Sequence, residues 1–160
     1  MADATSRAPQ ETDIMTSEHH RRVLVVDDDV DIRGLLVTAF RMKNLHVDTA
    51  TDGQEAIDLL RQHAYSVVIL DLFMPVTDGF AVLDMIEHDG MQPVVLVVTG
   101  ADRKTIEKLD ARRIHGIVKK PFDVEELANV VAACADVRGM RGFETMAIAL
   151  PILALLSSRM

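Results

Sequence analysis

Four apolar runs in this chain end at residues able to do chemistry. Val23–Val26 leads into Asp27, Asp28 and Asp29, Val67–Leu70 into Asp71, Val94–Val98 into Thr99 and Gly100, and Ile117-Val118 into Lys119, Lys120 and Pro121. Where those ends meet, carboxylates, a hydroxyl and an ammonium surround one point, a set that suits a divalent cation and a phosphoryl group. Carboxylates crowded together raise one another's pKa values, and a hard cation among them relieves the repulsion. Mg2+ fits such a set because it takes oxygen ligands and keeps several waters, which leaves room for a substrate phosphate. With the charge barrier lowered, Asp71 can act as a nucleophile and form an acyl phosphate. Lys120 can pair with one oxygen of the transferred group, and the Thr99 hydroxyl can donate to another.

Each signal alone has a plainer reading. An acid after a strand is commonly a helix N-cap, the role expected of Asp29. Thr99-Gly100 reads as a turn and Lys119-Lys120 as a solvated face. Their joint occurrence after four separate apolar runs points to a site. Between the two lysines, Lys120 is preferred, because the step before Pro121 is held extended and ends the strand there.

The elements that must position these residues follow from periodicity. Apolar runs of four or five residues, rich in Val and Ile, read as strands buried on both faces of a parallel sheet. From Val23 the chain alternates strand and helix, with strands expected at about 22–26, 45–50, 65–70, 94–98 and 115–118 and helices at about 30–43, 53–62, 79–88, 102–110 and 124–136. Asp52-Gly-Gln-Glu55 and Asp123-Val-Glu-Glu126 resemble capping boxes, and Asn44 is a plausible left-handed stop. Strict alternation with short crossovers implies an α/β fold, a right-handed, doubly wound parallel sheet of five strands. In such a sheet the carboxyl ends of the strands share one edge, and ligands bind in the crevice there.

The chain is 160 residues long, enough for one domain with its own core plus tails. A formal net charge of −8 argues against a broad nucleic-acid or anionic-membrane surface. The single Cys134 rules out an internal disulfide and reads as a small buried thiol in a helix. Residues 1–21 read as a disordered polar arm, in which His19-His20 is solvated and Met15 is a possible start of translation. No signal-peptide core precedes Arg22, so a cytoplasmic location is expected. Residues 138–160 form an apolar C-terminal extension, with Arg138–Gly142 as a joint. The run Met146–Leu156, interrupted by Pro151, is too short to span a bilayer. It reads as helical and as folding back on the domain, meeting a second copy or partner, or touching a membrane.

The motifs Val-Val-Asp27-Asp28, Asp71-Leu-Phe-Met-Pro75-Val-Thr-Asp78-Gly79, Val-Thr99-Gly and Lys120-Pro121-Phe122 resemble the receiver domain of bacterial two-component response regulators, in particular the stand-alone, CheY-like members. The resemblance covers residues 22–137. It implies a flavodoxin-like sheet of strand order 2-1-3-4-5. It implies Asp71 as the phospho-acceptor, served by a sensor histidine kinase, a histidine phosphotransfer protein or a small phosphodonor. Asp28 matches a direct Mg2+ ligand, Asp27 the second acid, and the backbone carbonyl of Phe73 a third protein ligand beside Asp71. Thr99 matches the switch hydroxyl and Lys120 the lysine that pairs with phosphate. Met74-Pro75 and Asp78-Gly79 match the loop after the acceptor, for which turn chemistry alone is an equal explanation. The function implied is a phosphorelay switch that promotes its own phosphorylation and dephosphorylation, and is not an enzyme.

Two departures bear on that function. The position three before the lysine, commonly Tyr or Phe in receivers, is Ile117, stiff at χ1 and unable to make a large aromatic swing. Phe73 and Ala101 flank the path of an attacking water without a polar group to position it, so slow hydrolysis of the acyl phosphate is expected. No effector module is recognisable after Val137. Output is therefore expected through contact with a downstream protein, by the face of helix four, strand five and helix five, without direct nucleic-acid binding and with homodimerisation through the tail as an option. The runner-up is a degenerate receiver acting as a phosphorylation-independent interaction module. An aspartyl-phosphate phosphohydrolase would need an acid at Phe73, and a flavin protein would need a phosphate loop where Asp27–Asp29 stand.

Overall fold

The computed structural model describes residues 21–139. The polar arm with Met15 and His19-His20, and the apolar run Met146–Leu156 with Pro151, lie outside the described residues. In chain order the elements are β1 (Arg22–Val26), α1 (Val30–Met42), β2 (His46–Ala50), α2 (Gly53–Gln62), β3 (Val67–Leu70), α3 (Gly79–His88), β4 (Val94–Thr99), α4 (Arg103–Ile106), β5 (Gly116–Lys119) and α5 (Val124–Gly139). The five strands pair in the order β2-β1-β3-β4-β5, all in parallel.

Alternation along the strands builds two cores, one on each face of the sheet. Val23 and Val25 of β1, Val67 and Ile69 of β3, Leu96 and Val98 of β4 and Val118 of β5 pack with Leu36 and Phe40 of α1 and with Leu127, Val131 and Cys134 of α5. Leu24, Val26, Val68, Leu70, Val95 and Val97 pack with Ala56 and Leu60 of α2 and with Val82, Leu83 and Ile86 of α3. Covering both faces explains why β1, β3 and β4 read as unbroken apolar runs. The edge strand β2 is only partly buried until Ala50, and its sequence is accordingly mixed.

Local chemistry sets the helix ends. Asp29 Oδ1 accepts from the amides of Asp31 and Ile32 and caps α1. Asn44 takes φ +58°, and the Leu45 amide donates to the Phe40 carbonyl while the Asn44 amide donates to Arg41, which closes α1 in a Schellman motif. Gly90 (φ +65°) closes α3 in the same way. At α2, Asp52 Oδ1 accepts from the Gln54 and Glu55 amides, but Glu55 reaches back to the amide and hydroxyl of Thr51. The box is therefore displaced by one residue from the expected pairing. At α5, Asp123 Oδ1 accepts from the Glu126 amide.

The largest departure from expectation is α4. The segment 102–110 was expected as a helix, yet the α-helix covers only Arg103–Ile106 and buries no residue. Helices draw most of their stability from an apolar face packed on the protein, and this one has none. After Glu107 the amides of Lys108 and Leu109 bond to carbonyls three residues back. Asp110 then takes the Arg112 amide and guanidinium with its own side chain, a local bond that competes with the helix. At the other end, α5 runs through Gly139, beyond the expected stop at 136. The Lys120–Pro121 peptide bond is cis.

Candidate functional site

The sheet register determines which side chains meet at the carboxyl edge. Val25 pairs with Ile69 and Val26 with Leu70, and the ladder continues as the Asp71 amide donates to the Val26 carbonyl. Asp27 and Asp71 therefore stand side by side one residue past the strands. Both share the parity of the residues facing α1 and α5, as does Lys120 two residues after Val118.

These groups converge. A carboxylate oxygen from each of Asp27, Asp28 and Asp71 lies within 4.8 Å of the others. Lys120 Nζ donates to Asp27 Oδ2 and to Asp71 Oδ2, at 2.7 Å each. Lys119 is exposed, so Lys120 is the lysine that reaches the cluster. Asp27 and Asp71 are 3% and 6% exposed, whereas Asp28 is exposed. The second oxygen of Asp27 accepts the Asp29 amide at 2.9 Å, and Asp71 Oδ1 accepts the Phe73 amide at 3.2 Å.

The electrostatics differ from simple crowding. The Asp27 carboxyl is held above its ordinary value chiefly because it is buried; the Asp71 charge adds the least, and Lys120 and the Asp29 amide oppose the rise. The expected mutual repulsion is thus largely absorbed by the ammonium between the acids. For Lys120, burial pulls downward, but the bonds to Asp27 and Asp71 prevail and hold the ammonium above its usual value. Three carboxylates against one ammonium leave a formal surplus of two negative charges. Oxygen-only donors carrying that surplus, with one of the three acids open to solvent, fit a hard divalent cation.

Thr99 is fully buried at the end of β4. Alternation places it with Val95 and Val97, and its hydroxyl accepts the Ala101 amide at 3.2 Å. Among the described residues it has no hydrogen bond to the acidic cluster or to the Lys120 side chain. The two are joined through the backbone, where the Lys120 amide donates to the Thr99 carbonyl. Ile117 is half-buried and packs against the core on the α2 and α3 side, and Ala101 is buried.

Three features of the site go beyond what the sequence signalled, where Gly79 stood out only as part of a turn motif. Arg33 Nη1 donates to the Asp27 carbonyl at 2.6 Å and braces the turn that presents the acids. The bare Cα of Gly79 lies against the Asp71 carbonyl, where a Cβ would collide, and its amide donates to Leu72. Val30, Phe73 and Val76 are 68%, 55% and 91% exposed, so the segments bearing the acids carry apolar side chains into solvent. Arg33 and Gly79 lie only six and eight positions from the residues they touch, yet those contacts, like the exposure of the three apolar side chains, are decided by packing that capping and turn patterns do not encode.

Comparison with known proteins agrees with this geometry. The family model described as the response regulator receiver domain matches residues 23–132. The probable transcriptional regulator ycf27 of Guillardia theta is 40% identical over 113 residues, 69% of this chain and 43% of its own length. The regulatory protein AtoC of Escherichia coli is 32% identical over 122 residues, 75% of this chain and 26% of its own. The chain thus spans less than half the length of these curated relatives. Among solved structures, the response regulator TrrA of Thermotoga maritima in complex with Mg2+ and BeF is 30% identical with a TM-score of 0.64, covering 71% of this chain and 98% of that one. The chain belongs to the response regulator receiver family, the phosphorylation-based switches of two-component signalling.

Proposed function

We propose that Asp71 is the phospho-acceptor of this receiver, that Asp27, Asp28, Asp71 and the Phe73 carbonyl are its Mg2+ ligands, and that Lys120 and Thr99 complete the site. The observation that carries the reading is Lys120 Nζ at 2.7 Å from both Asp27 and Asp71, with Asp28 in reach of both acids. Mg2+ held by these oxygens supplies the positive charge that lets an anionic phosphoryl group approach a carboxylate.

The chain's own groups do the rest. A carboxylate oxygen of Asp71 forms a bond to phosphorus while the bond to the donor's leaving atom breaks and that atom keeps the electron pair. Lys120, already on Asp71, is placed to follow the charge onto a phosphoryl oxygen. The Thr99 hydroxyl oxygen accepts the Ala101 amide and keeps its proton free for a phosphoryl oxygen, and a movement of the 99–101 segment brings it there. That movement, next to the weakly anchored α4, is the switch toward a surface of α4, β5 and α5 that contacts a downstream protein. The donor is a histidine kinase or histidine phosphotransfer protein, and exposed Val30, Phe73 and Val76 offer it apolar contact. The acidic net charge supports output through protein rather than nucleic acid, and the family supports a cytoplasmic setting. Among the described residues no helix is long and apolar enough to cross a membrane. Phe73 and Ala101 lack polar side chains, which supports slow loss of the phosphoryl group.

The test is the intact mass of the chain after incubation with Mg2+ and a small phosphodonor. A gain of one phosphoryl group, lost in Asp71→Asn and without metal, is expected. No gain by a folded wild type would favour a phosphorylation-independent interaction module.

A further inference from the structure

The loop from Leu72 to Asp78, which leaves the acceptor, is pinned at two points. Near its base the Gly79 amide donates to the Leu72 carbonyl at 3.0 Å, against the backbone of Asp71 itself. At its crest the Thr77 amide donates to the Pro75 carbonyl at 2.9 Å, closing a three-residue turn around Val76. Val76 has φ +70°, the hand of γ-turn that is rare and strained, and a β-branched residue suits it poorly. Such backbone persists only when its surroundings over-determine it.

What holds the crest is Gly53, the first residue of α2. Its amide donates to the Thr77 carbonyl at 2.9 Å. Its bare Cα makes that approach possible, because a Cβ there would sit 2.6 Å from the Thr77 carbonyl oxygen and 3.0 Å from that of Asp78. The base beneath Gly53 is stiff: Asp52 caps α2 while Glu55 ties back to Thr51.

We propose that Gly53 is a positioning residue for the phospho-acceptor, clamping the crest of the 72–78 loop so that Asp71 and the Phe73 backbone are held for metal and phosphoryl transfer. This rests on the reading of Asp71 as acceptor. Gly53 touches none of the reacting groups and acts through Thr77. Coupling of this kind is reciprocal, so metal at the acids tightens the clamp, and loss of the clamp weakens the metal.

Two measurements on the whole chain test it. In wild type, the Gly53 amide is expected to exchange with solvent about tenfold more slowly at saturating Mg2+, though it contacts no ligand; unchanged exchange overturns the proposal, and this arm needs no variant to fold. In the second, Mg2+ affinity by calorimetry and phosphoryl uptake by intact mass are compared in wild type, Gly53→Ala and Gly34→Ala, each shown folded by circular dichroism. Because misplacing a reacting group by about 1 Å costs on the order of a hundredfold, Gly53→Ala is expected to slow uptake and weaken Mg2+ by about tenfold or more. Gly34, where a Cβ meets nothing within 4 Å, is expected to leave both unchanged. Values for Gly53→Ala within about twofold of wild type overturn the positioning role and leave Asp71 as acceptor. Failure of wild type to take up phosphate overturns both readings.

Discussion

The segments that follow β3 and β4 leave adjacent strands beside the same cluster, yet they are built in opposite ways. After β3, Leu72 is fully buried, glycines 53 and 79 hold the backbone, and the loop keeps a strained turn at Val76. After β4, α4 is a single turn with no buried residue, continued by side-chain-stabilised turns through Arg113. On the proposed function the contrast separates two tasks: the acceptor Asp71 must be held in place, whereas a segment that reports its charge must be cheap to move. Regions with few buried apolar contacts open most easily, and the 101–113 segment meets that description.

The comparison can be broken hardest at Lys120. Lys120→Met leaves Asp27 and Asp71 buried and unpaired, and is expected to cost about 3 kcal/mol without metal. Urea denaturation should show part of that loss recovered by Mg2+, with hydrogen-exchange protection falling at the tips of β1 and β3 first. A matched pair of truncations tests the contrast directly. Leu72→Ala is expected to cost about 3 kcal/mol, while Leu109→Ala, in the loosely packed segment, should cost less than about 1 kcal/mol. Equal costs would remove the distinction.

Asp48 gives a reference remote from both segments. Its carboxylate accepts Arg22 Nε at 2.6 Å and the Tyr65 hydroxyl at 2.8 Å. Burial works to raise it, but these bonds prevail and hold Asp48 below its ordinary value. A depressed folded value contributes stability that is present above the unfolded value, about pH 4, and is lost as pH falls through the folded one. Asp48→Asn should therefore cost about 1–2 kcal/mol at pH 7, with the gap to wild type closing below about pH 4 and phosphoryl uptake at pH 7 unaffected. The smallest effect sharpens the picture of the β3 loop. Val76→Gly removes the penalty of a left-handed β-branched residue and is expected to stabilise by about 1 kcal/mol, read as a rise in thermal midpoint.

Much of this architecture was legible because its causes are local. Asp29, Asp52 and Asn44 announce helix ends through bonds to backbone a few residues away, and Val/Ile runs announce central strands because both faces are covered. Cys134 was expected buried and is, its thiol pushed up to about 11 by that burial. The misjudged segment was α4, where Ile106 and Leu109 mimic a helical face. Leu109 does reach the core on the α2 and α3 side, but from a turn beyond the helix, and periodicity cannot say whether a face packs as a helix or as a turn. Asp27 is raised, as crowding of carboxylates predicts, yet burial is the principal cause, the Asp71 charge adds least, and Lys120 between the acids opposes the rise.

From sequence alone, the types of the reacting groups and their places after buried strands were determined, together with the alternating fold and family resemblance that they imply. Only the tertiary structure decided which of those groups meet. Sheet register and side-chain parity bring Asp27, Asp71 and Lys120 to one face. They leave Thr99 bonded to Ala101, and bring Gly53 beneath Thr77, 24 positions away. Residue type and burial pattern are properties of short windows, whereas register and the approach of one backbone to another depend on how the whole sheet and its helices pack.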